Sequence, residues 1–368
     1  MGLNLPKKAK IVIKIGSSII TSKSGKIDKR RLQTLAIQIA ELKSLGFGIV
    51  LVSSGAIACG MQKLNYKQRP KTIGECCCVA AVGQTLLMTD YEQVFRRYRY
   101  LTAQILLTSD GLEERGRYLN ARNTIMDLLK RGDIIPIVNE NDAVATEEIR
   151  FGDNDKLSAQ VAALIDADLL LILSDVDGLY DRQGKIVDRV EKIDANIVKI
   201  CTGTKKDTSV GGMVTKIEAA KIATGAGIPV LIANGNRKDI MQRAIGGARC
   251  GTFFVPAKGK ISAKKRWIAF SCKDCGRIIV DDGAKEAVMR QGRSLLAIGI
   301  VCAEGGFSFG DLVIILDKNN KEIARGLTNY SQDEIRKIKG IKTNLITEVL
   351  GYKSYDEVVH RDNMVIIK

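Results

Sequence analysis

The segment Ile11-Val12-Ile13-Lys14-Ile15 limits the fold more than any other stretch of the chain. A strand with one wet face alternates apolar and polar residues. One that is apolar almost throughout belongs in the middle of a sheet covered on both sides. Phe47-Val52, Leu101-Leu107, Ile134-Val138, Leu169-Leu173 and Pro229-Ile232 read as further strands. Helical stretches separate them, at about Asp28 to Leu45 (with Leu32, Leu35, Ile39 and Leu42 on one face), Tyr118-Leu129 and Leu157-Ile165. The series predicts an α/β layout, a sheet with helices on both faces. In such folds ligands gather in the crevice beyond the carboxyl ends of the strands.

Length divides the chain. Its 368 residues exceed what one core usually holds, and a domain of about 250 residues with a module of about 100 is the natural partition. After about Lys258 the pattern changes to short β-rich segments, Ile278-Val280, Leu295-Ile300, Leu312-Leu316 and Ile323-Gly326, set between Gly and Asn turns. We therefore expect one domain over 1–258 and a small β-barrel-like domain over 266–368, joined within the lysine-rich Ala257-Lys265. With 45% hydrophobic residues and five prolines the chain can build a large core. Its apolar runs fall well short of the roughly 20 residues of a membrane span. No signal-peptide pattern follows the N-terminus, so the expected setting is the cytoplasm, with no membrane partner.

The formal charge of +16 lies mostly before residue 260 and is spread out, which suits anionic substrates as well as it suits RNA. Nine cysteines, an odd and scattered set, describe no disulfide framework. A structural zinc site needs four ligands, and beyond the Cys272/Cys275 pair the only nearby candidates are Cys302 and the sole histidine, His360; no metal is assigned to protein ligands. Cys76-Cys77-Cys78 precedes small apolar residues and reads as helix packing.

Four loops directly follow predicted strands: Lys14-Ile15-Gly16-Ser17-Ser18, Ser53-Ser54-Gly55-Ala56, Asn139-Glu140-Asn141-Asp142 and Ser174-Asp175-Val176-Asp177-Gly178. They should share one site. Two lysines sharpen what that site holds. Lys14 ends a buried strand, and Lys216 sits just inside the helix opened by Gly211-Gly212-Met213-Val214-Thr215. Burial penalises the first and the helix dipole opposes the second, unless an anion lies beside them. Glycines ahead of a helix let phosphate approach free amide hydrogens. No GxxxxGK[ST], GxGxxG or GxSxG pattern occurs. His360-Arg361-Asp362 lies too near the chain end to be a kinase catalytic loop. Phosphoryl transfer without a P-loop is what remains.

The segments Val12-Ser18, Ser53-Ala58, Val138-Thr146, Phe151-Ala159 and Gly211-Lys216 resemble, in order, the glutamate-phosphorylating branch of the amino acid kinase family, and the chain after Lys265-Arg266-Trp267-Ile268 is similar to a PUA domain. The resemblance implies a three-layer αβα sandwich that uses ATP, with magnesium bound mainly through the phosphates, to phosphorylate the γ-carboxylate of L-glutamate at the first step of proline synthesis. By position it implies that Lys14 and Lys216 hold phosphates and stabilise the transferring group, with Asp155 organising both. Ser54, Asp142 and Asn154 would hold glutamate. Ser174, Asp175, Val210, Gly211, Gly212, Met213, Val214 and Thr215 would join the two lysines around the nucleotide. Feedback inhibition by proline and a homo-oligomer also belong to the expectation. The chain departs from the family at Val210 and Ser174, where Thr is common, and at Val214, where Ser is.

Other readings stay open on residues alone. Asp142 suits a substrate ammonium group and a turn cap equally. Asn154 and Asp155 could cap the helix that follows them, and Ser54 could serve packing. A different amino acid kinase, or an RNA-binding protein acting through the PUA-like tail, are the alternatives. Having His360 as its single histidine is no obstacle to the leading one, because a carboxylate with a pKa near 4.3 is already ionised at neutral pH and needs no general base.

Overall fold

The structure, a computed structural model, describes residues 5–22, 26–144, 154–202, 212–257, 267–268 and 276–367. Val210, Gly211, the Phe151-Gly152-Asp153 segment, the Cys272/Cys275 pair and nearly all of the expected domain junction lie outside the described residues. The chain divides into two compact units, Met1–Lys260 and Ile261–Lys368.

The first unit starts with β1 (Lys10–Ile15), α1 (Ser17–Ile20), α2 (Lys29–Ser44), β2 (Gly48–Ser53), α3 (Ala56–Lys63) and α4 (Ile73–Arg96). It continues through β3 (Leu101–Leu107), α5 (Arg115–Arg131), β4 (Ile134–Glu140), α6 (Asn154–Ile165), β5 (Leu169–Ser174), β6 (Arg189–Val190) and α7 (Ala195–Thr202). It closes with α8 (Met213–Gly225), β7 (Val230–Asn234), α9 (Ile240–Ile245) and β8 (Gly251–Phe254). The eight strands form one sheet in the order β3-β4-β2-β1-β5-β7-β8-β6, parallel except where β7 meets β8. Neighbours that are not consecutive in sequence require crossovers, and the helices supply them on both faces.

Strand alternation decides what each face receives. Ile11, Ile13 and Ile15 join a core cluster with α2, α4 and α9 residues such as Leu35, Leu87 and Met241. Val12 and Lys14 therefore turn to the opposite face, where α6 packs on β1 and against α8. The helices are cut by local signals. Asp28 caps α2 by accepting from the amides of Arg30 and Arg31, and Thr72 with Glu75 forms a capping box at the start of α4.

Two expectations change in this unit. Leu101-Leu107 is not buried on both faces: β3 is the sheet edge, and Leu101 and Leu106 are exposed. The three adjacent cysteines do not all pack, since helical geometry points them differently; Cys76 is buried, Cys77 partly, and Cys78 is exposed. Among the described residues, no helix is long and apolar enough to cross a membrane.

The second unit is a five-stranded sheet in the order β10-β9-β11-β12-β13, comprising β9 (Gly276–Val280), β10 (Ile300–Glu304), β11 (Leu312–Leu316), β12 (Glu322–Thr328) and β13 (Val359–Ile366). A bridge from Leu295 to Val359 ties the approach to β10 to the far edge strand, which gives the sheet its barrel-like closure. Leu295-Ile300 is not the expected strand. Its residues 297–299 form a 3-10 turn with Leu295 and Ala297 in the core, and β10 begins only at Ile300. His360-Arg361-Asp362 lies within β13.

Helices α3 and α4 meet at backbone distance. A Cβ added to Gly83 would lie 1.8 Å from the Ala56 carbonyl oxygen, and one added to Gly60 would lie 1.8 Å from that of Val79. Gly83→Ala should therefore destabilise the first unit by about 3 kcal/mol, read as a fall in the urea midpoint. Gly74→Ala, in the same helix but facing open space, should leave the midpoint unchanged or raise it.

Candidate active site

Four neighbouring parallel strands end at one edge of the sheet, β1 at Ile15, β2 at Ser53, β4 at Glu140 and β5 at Ser174, with Ile15 paired to both Ser53 and Leu173. Beyond that edge lies a cavity of about 720 Å³. Lys14, Ser54, Asp142, Asn154, Ser174, Asp175 and Lys216 all line it, so the structure brings seven of the expected residues together.

The two lysines converge on one carboxylate. Lys14 Nζ lies 2.5 Å from Asp155 Oδ1 and Lys216 Nζ lies 3.2 Å from Asp155 Oδ2. Lys14 reaches it because its place in β1 faces α6, whose second residue is Asp155. Lys216 reaches it from the second turn of α8, the helix packed beside α6. Thr215 adds a third bond, its hydroxyl donating to Asp155 Oδ2 at 2.9 Å. All three charged side chains are at least 94% buried. Burial alone would raise the Asp155 carboxyl, but the adjacent Lys14 and Lys216 charges and the bonds from Lys14 and Thr215 hold it below the ordinary carboxylate range.

A second cluster is built of amides. The side-chain nitrogen of Asn154 lies 2.6 Å from the Ser53 carbonyl, 3.0 Å from Ser54 Oγ and 2.9 Å from Asn139 Oδ1. Asn139 is fixed in turn by donating to Gln84 Oε1 at 2.7 Å. With the amide oriented this way, Asn154 Oδ1 is buried with no partner among the described residues. A buried acceptor of this kind awaits a donor from elsewhere. Gly55, next to Ser54, has φ 109, a left-handed value that suits glycine and turns the chain from β2 into α3.

Asp142 lies beyond β4 in the same cavity, partly buried. Burial pushes its carboxyl up to about 6, against the pull of Arg69. Ser174 Oγ donates to Asp175 Oδ1 at 3.1 Å. Gly212 caps α8, while Met213 and Val214 form its first turn without lining the described cavity.

Sequence reasoning passed over Asn139, Gln84, Ser53 and the segment from Asn65 to Arg69. Asn139 stood in a loop already singled out, and its place at the end of β4 was the available signal. Gln84 and Arg69 carried none, because only the packing of α4 and its preceding segment brings them to the sheet edge.

The family match over residues 9–234 decides the assignment. The chain belongs to the amino acid kinase family. Residues 276–350 match the PUA domain. A glutamate 5-kinase of Thermoanaerobacter sp. (strain X514) is 48% identical over 367 residues, covering 98% of each chain. Those of Caldanaerobacter subterraneus subsp. tengcongensis (46%, 98% of each chain) and Moorella thermoacetica (44%, 99% of this chain and 98% of that one) are similar over the same extent. As an amino acid kinase the chain is an ATP-using phosphotransferase, built as a three-layer αβα sandwich with a separate PUA domain.

Asp155→Asn should leave two buried ammonium groups without the carboxylate they share and cost about 3–5 kcal/mol at neutral pH, measured as a lowered urea midpoint. The sign with pH follows from the lowered carboxyl. Its stabilisation is complete above the unfolded value of about 3.9 and is lost as pH falls through the lower folded value. Wild-type stability should thus fall more steeply on acidification than that of Asp155→Asn.

Proposed function

We propose that this chain transfers the γ-phosphoryl group of ATP to the γ-carboxylate of L-glutamate, giving L-glutamyl 5-phosphate at the first step of proline biosynthesis. The observation that carries the reading is the meeting of Lys14 and Lys216 at Asp155, at the end of a cavity that also holds Asp142 and Asn154. Glutamate 5-kinases similar over nearly the whole chain support the choice of substrate.

The acceptor carboxylate is ionised at neutral pH and attacks without a base. The difficulty is repulsion between two anions. Lys14 and Lys216, already dehydrated and aimed by Asp155 and Thr215, offset it and stabilise the charge on the equatorial oxygens of a loose transition state. Holding the lysines beforehand avoids reorganisation during transfer. Asp155 engages both oxygens with these partners and would not be a metal ligand; Mg2+ bound through the phosphates would supply further charge neutralisation there. At the other end of the cavity, Asp142 and the unpartnered Asn154 oxygen both accept from an ammonium group, and Ser54 offers a hydroxyl. Ser174, Asp175 and the first turn of α8 with Val210 and Gly211 before it take the nucleotide. The remaining parts of the proposal are proline as feedback inhibitor, a homo-oligomeric assembly and a cytoplasmic setting. RNA binding through the PUA domain as the main function has no observation in its favour.

ATP, Mg2+ and L-glutamate with hydroxylamine should give γ-glutamyl hydroxamate, and equal or better turnover of N-acetylglutamate or aspartate would refute the assignment. Lys216→Met should lower kcat by about 10²-fold or more, as expected for a lost transition-state cation, and a near-normal rate would remove its assigned role. Asp142 titrates near pH 6 in the free protein, and its protonated form cannot pair with an ammonium group. The KM for glutamate should therefore rise as pH falls through about 6, and Asp142→Asn should raise KM at neutral pH and remove that dependence.

A further inference from the structure

An α-amino acid brings two charges on one carbon, and the residues treated so far answer only one of them. A carboxylate that attracts the substrate ammonium group necessarily draws the α-carboxylate close to itself. In a partly desolvated cavity that approach is repulsive unless a cation stands beside it. Lys14 and Lys216 are held at Asp155, at the phosphoryl end.

Arg69 lines the same cavity as Asp142, and its guanidinium is the cation whose field acts on that carboxyl. Lys26 and Lys67 also reach the cavity wall but exert no comparable effect on Asp142. The backbone around Arg69 is well anchored although the side chain is exposed. Pro70 follows it and is buried, which holds Arg69 to extended conformations. The Cys76 thiol donates to the Pro70 carbonyl at 3.5 Å, and the Thr72 capping box fixes the start of α4 two residues later. A guanidinium presented from such a base is suited to bidentate capture of a carboxylate.

We propose that Arg69 binds the α-carboxylate of the substrate, so that Asp142 and Arg69 together recognise the ammonium and carboxylate groups on one carbon and confine the reaction to free α-amino acids. The inference rests on the reading of the cavity as a glutamate site.

The test compares L-glutamate with 4-aminobutyrate, which keeps the ammonium group and the distal carboxylate but lacks the α-carboxylate. Arg69→Gln should raise the KM for glutamate at least about tenfold, the loss expected for a hydrogen bond between charged groups, and leave the KM for ATP where it was. The inhibition constant of 4-aminobutyrate, measured as a competitor of glutamate, should be the same in both proteins. Arg69→Lys should recover part of the loss. A glutamate KM that does not move, or an equal loss for 4-aminobutyrate and for ATP, overturns the proposal, because a structural role would weaken all three. If 4-aminobutyrate inhibits neither protein, the glutamate and ATP constants decide. The underlying reading fails on a different observation, a wild-type protein that makes no hydroxamate from glutamate.

Discussion

Two ammonium groups share the Asp155 carboxylate in a place from which water is almost excluded, and the rest of the first unit is arranged around that junction. Moving charged groups out of water is costly, and an arrangement of this kind survives only where geometry is good and each partner is hydrogen-bonded. Here the carboxylate is engaged by Lys14 on one oxygen and by Lys216 and Thr215 on the other. Three elements have to be in register for this to happen: β1, α6 and α8. The sandwich supplies that register because α6 lies across β1 and α8 lies beside α6.

The parallel sheet explains why the rest of the site lies nearby. Parallel strands all deliver their following loops to one edge, so residues far apart in sequence share a crevice without any special interaction drawing them together. The polarity of the cavity follows the strand order. β1 and β5, next to one another, bring the lysine and the Ser174-Asp175 pair, while β2 and β4 bring Ser54, Asn139 and Asp142. β1 and β2 are themselves neighbours, with Ile15 paired to Ser53, so the two sets adjoin along one edge. Asn154 and Asp155, adjacent in α6, face one cluster each, and this dipeptide joins the two clusters.

The Asn154 cluster is held by neutral hydrogen bonds. The Gln84–Asn139–Asn154 chain orients one amide so that its oxygen is left buried without a partner among the described residues, with Gly55 turning the backbone at its side. Such a network gives direction to an acceptor without adding charge, and Asp142 is the carboxylate beside it in the cavity. The tight approach of α3 and α4 through Gly60 and Gly83 brings the segment carrying Arg69 to the same rim.

By itself the sequence determined the strand and helix alternation of the first unit, the α/β class, the two-part division and the identity of both lysines, because each is written in local patterns: apolar runs, periodic faces, glycines before a helix. A lysine inside an apolar strand stands out in the sequence since its burial needs a partner, which Asp155 supplies. The limits were equally physical. An apolar run cannot say whether its strand lies at the centre or the edge, so Leu101-Leu107 read as buried; and Leu295-Ile300 read as a strand because a buried 3-10 turn is apolar as well. Only the tertiary structure decided that Asp155 is shared by both lysines, that Asn139 and Gln84 aim Asn154, and that Arg69 and Asp142 border one cavity. Those relations join residues from different elements, and no periodicity along a single chain records the distance between them.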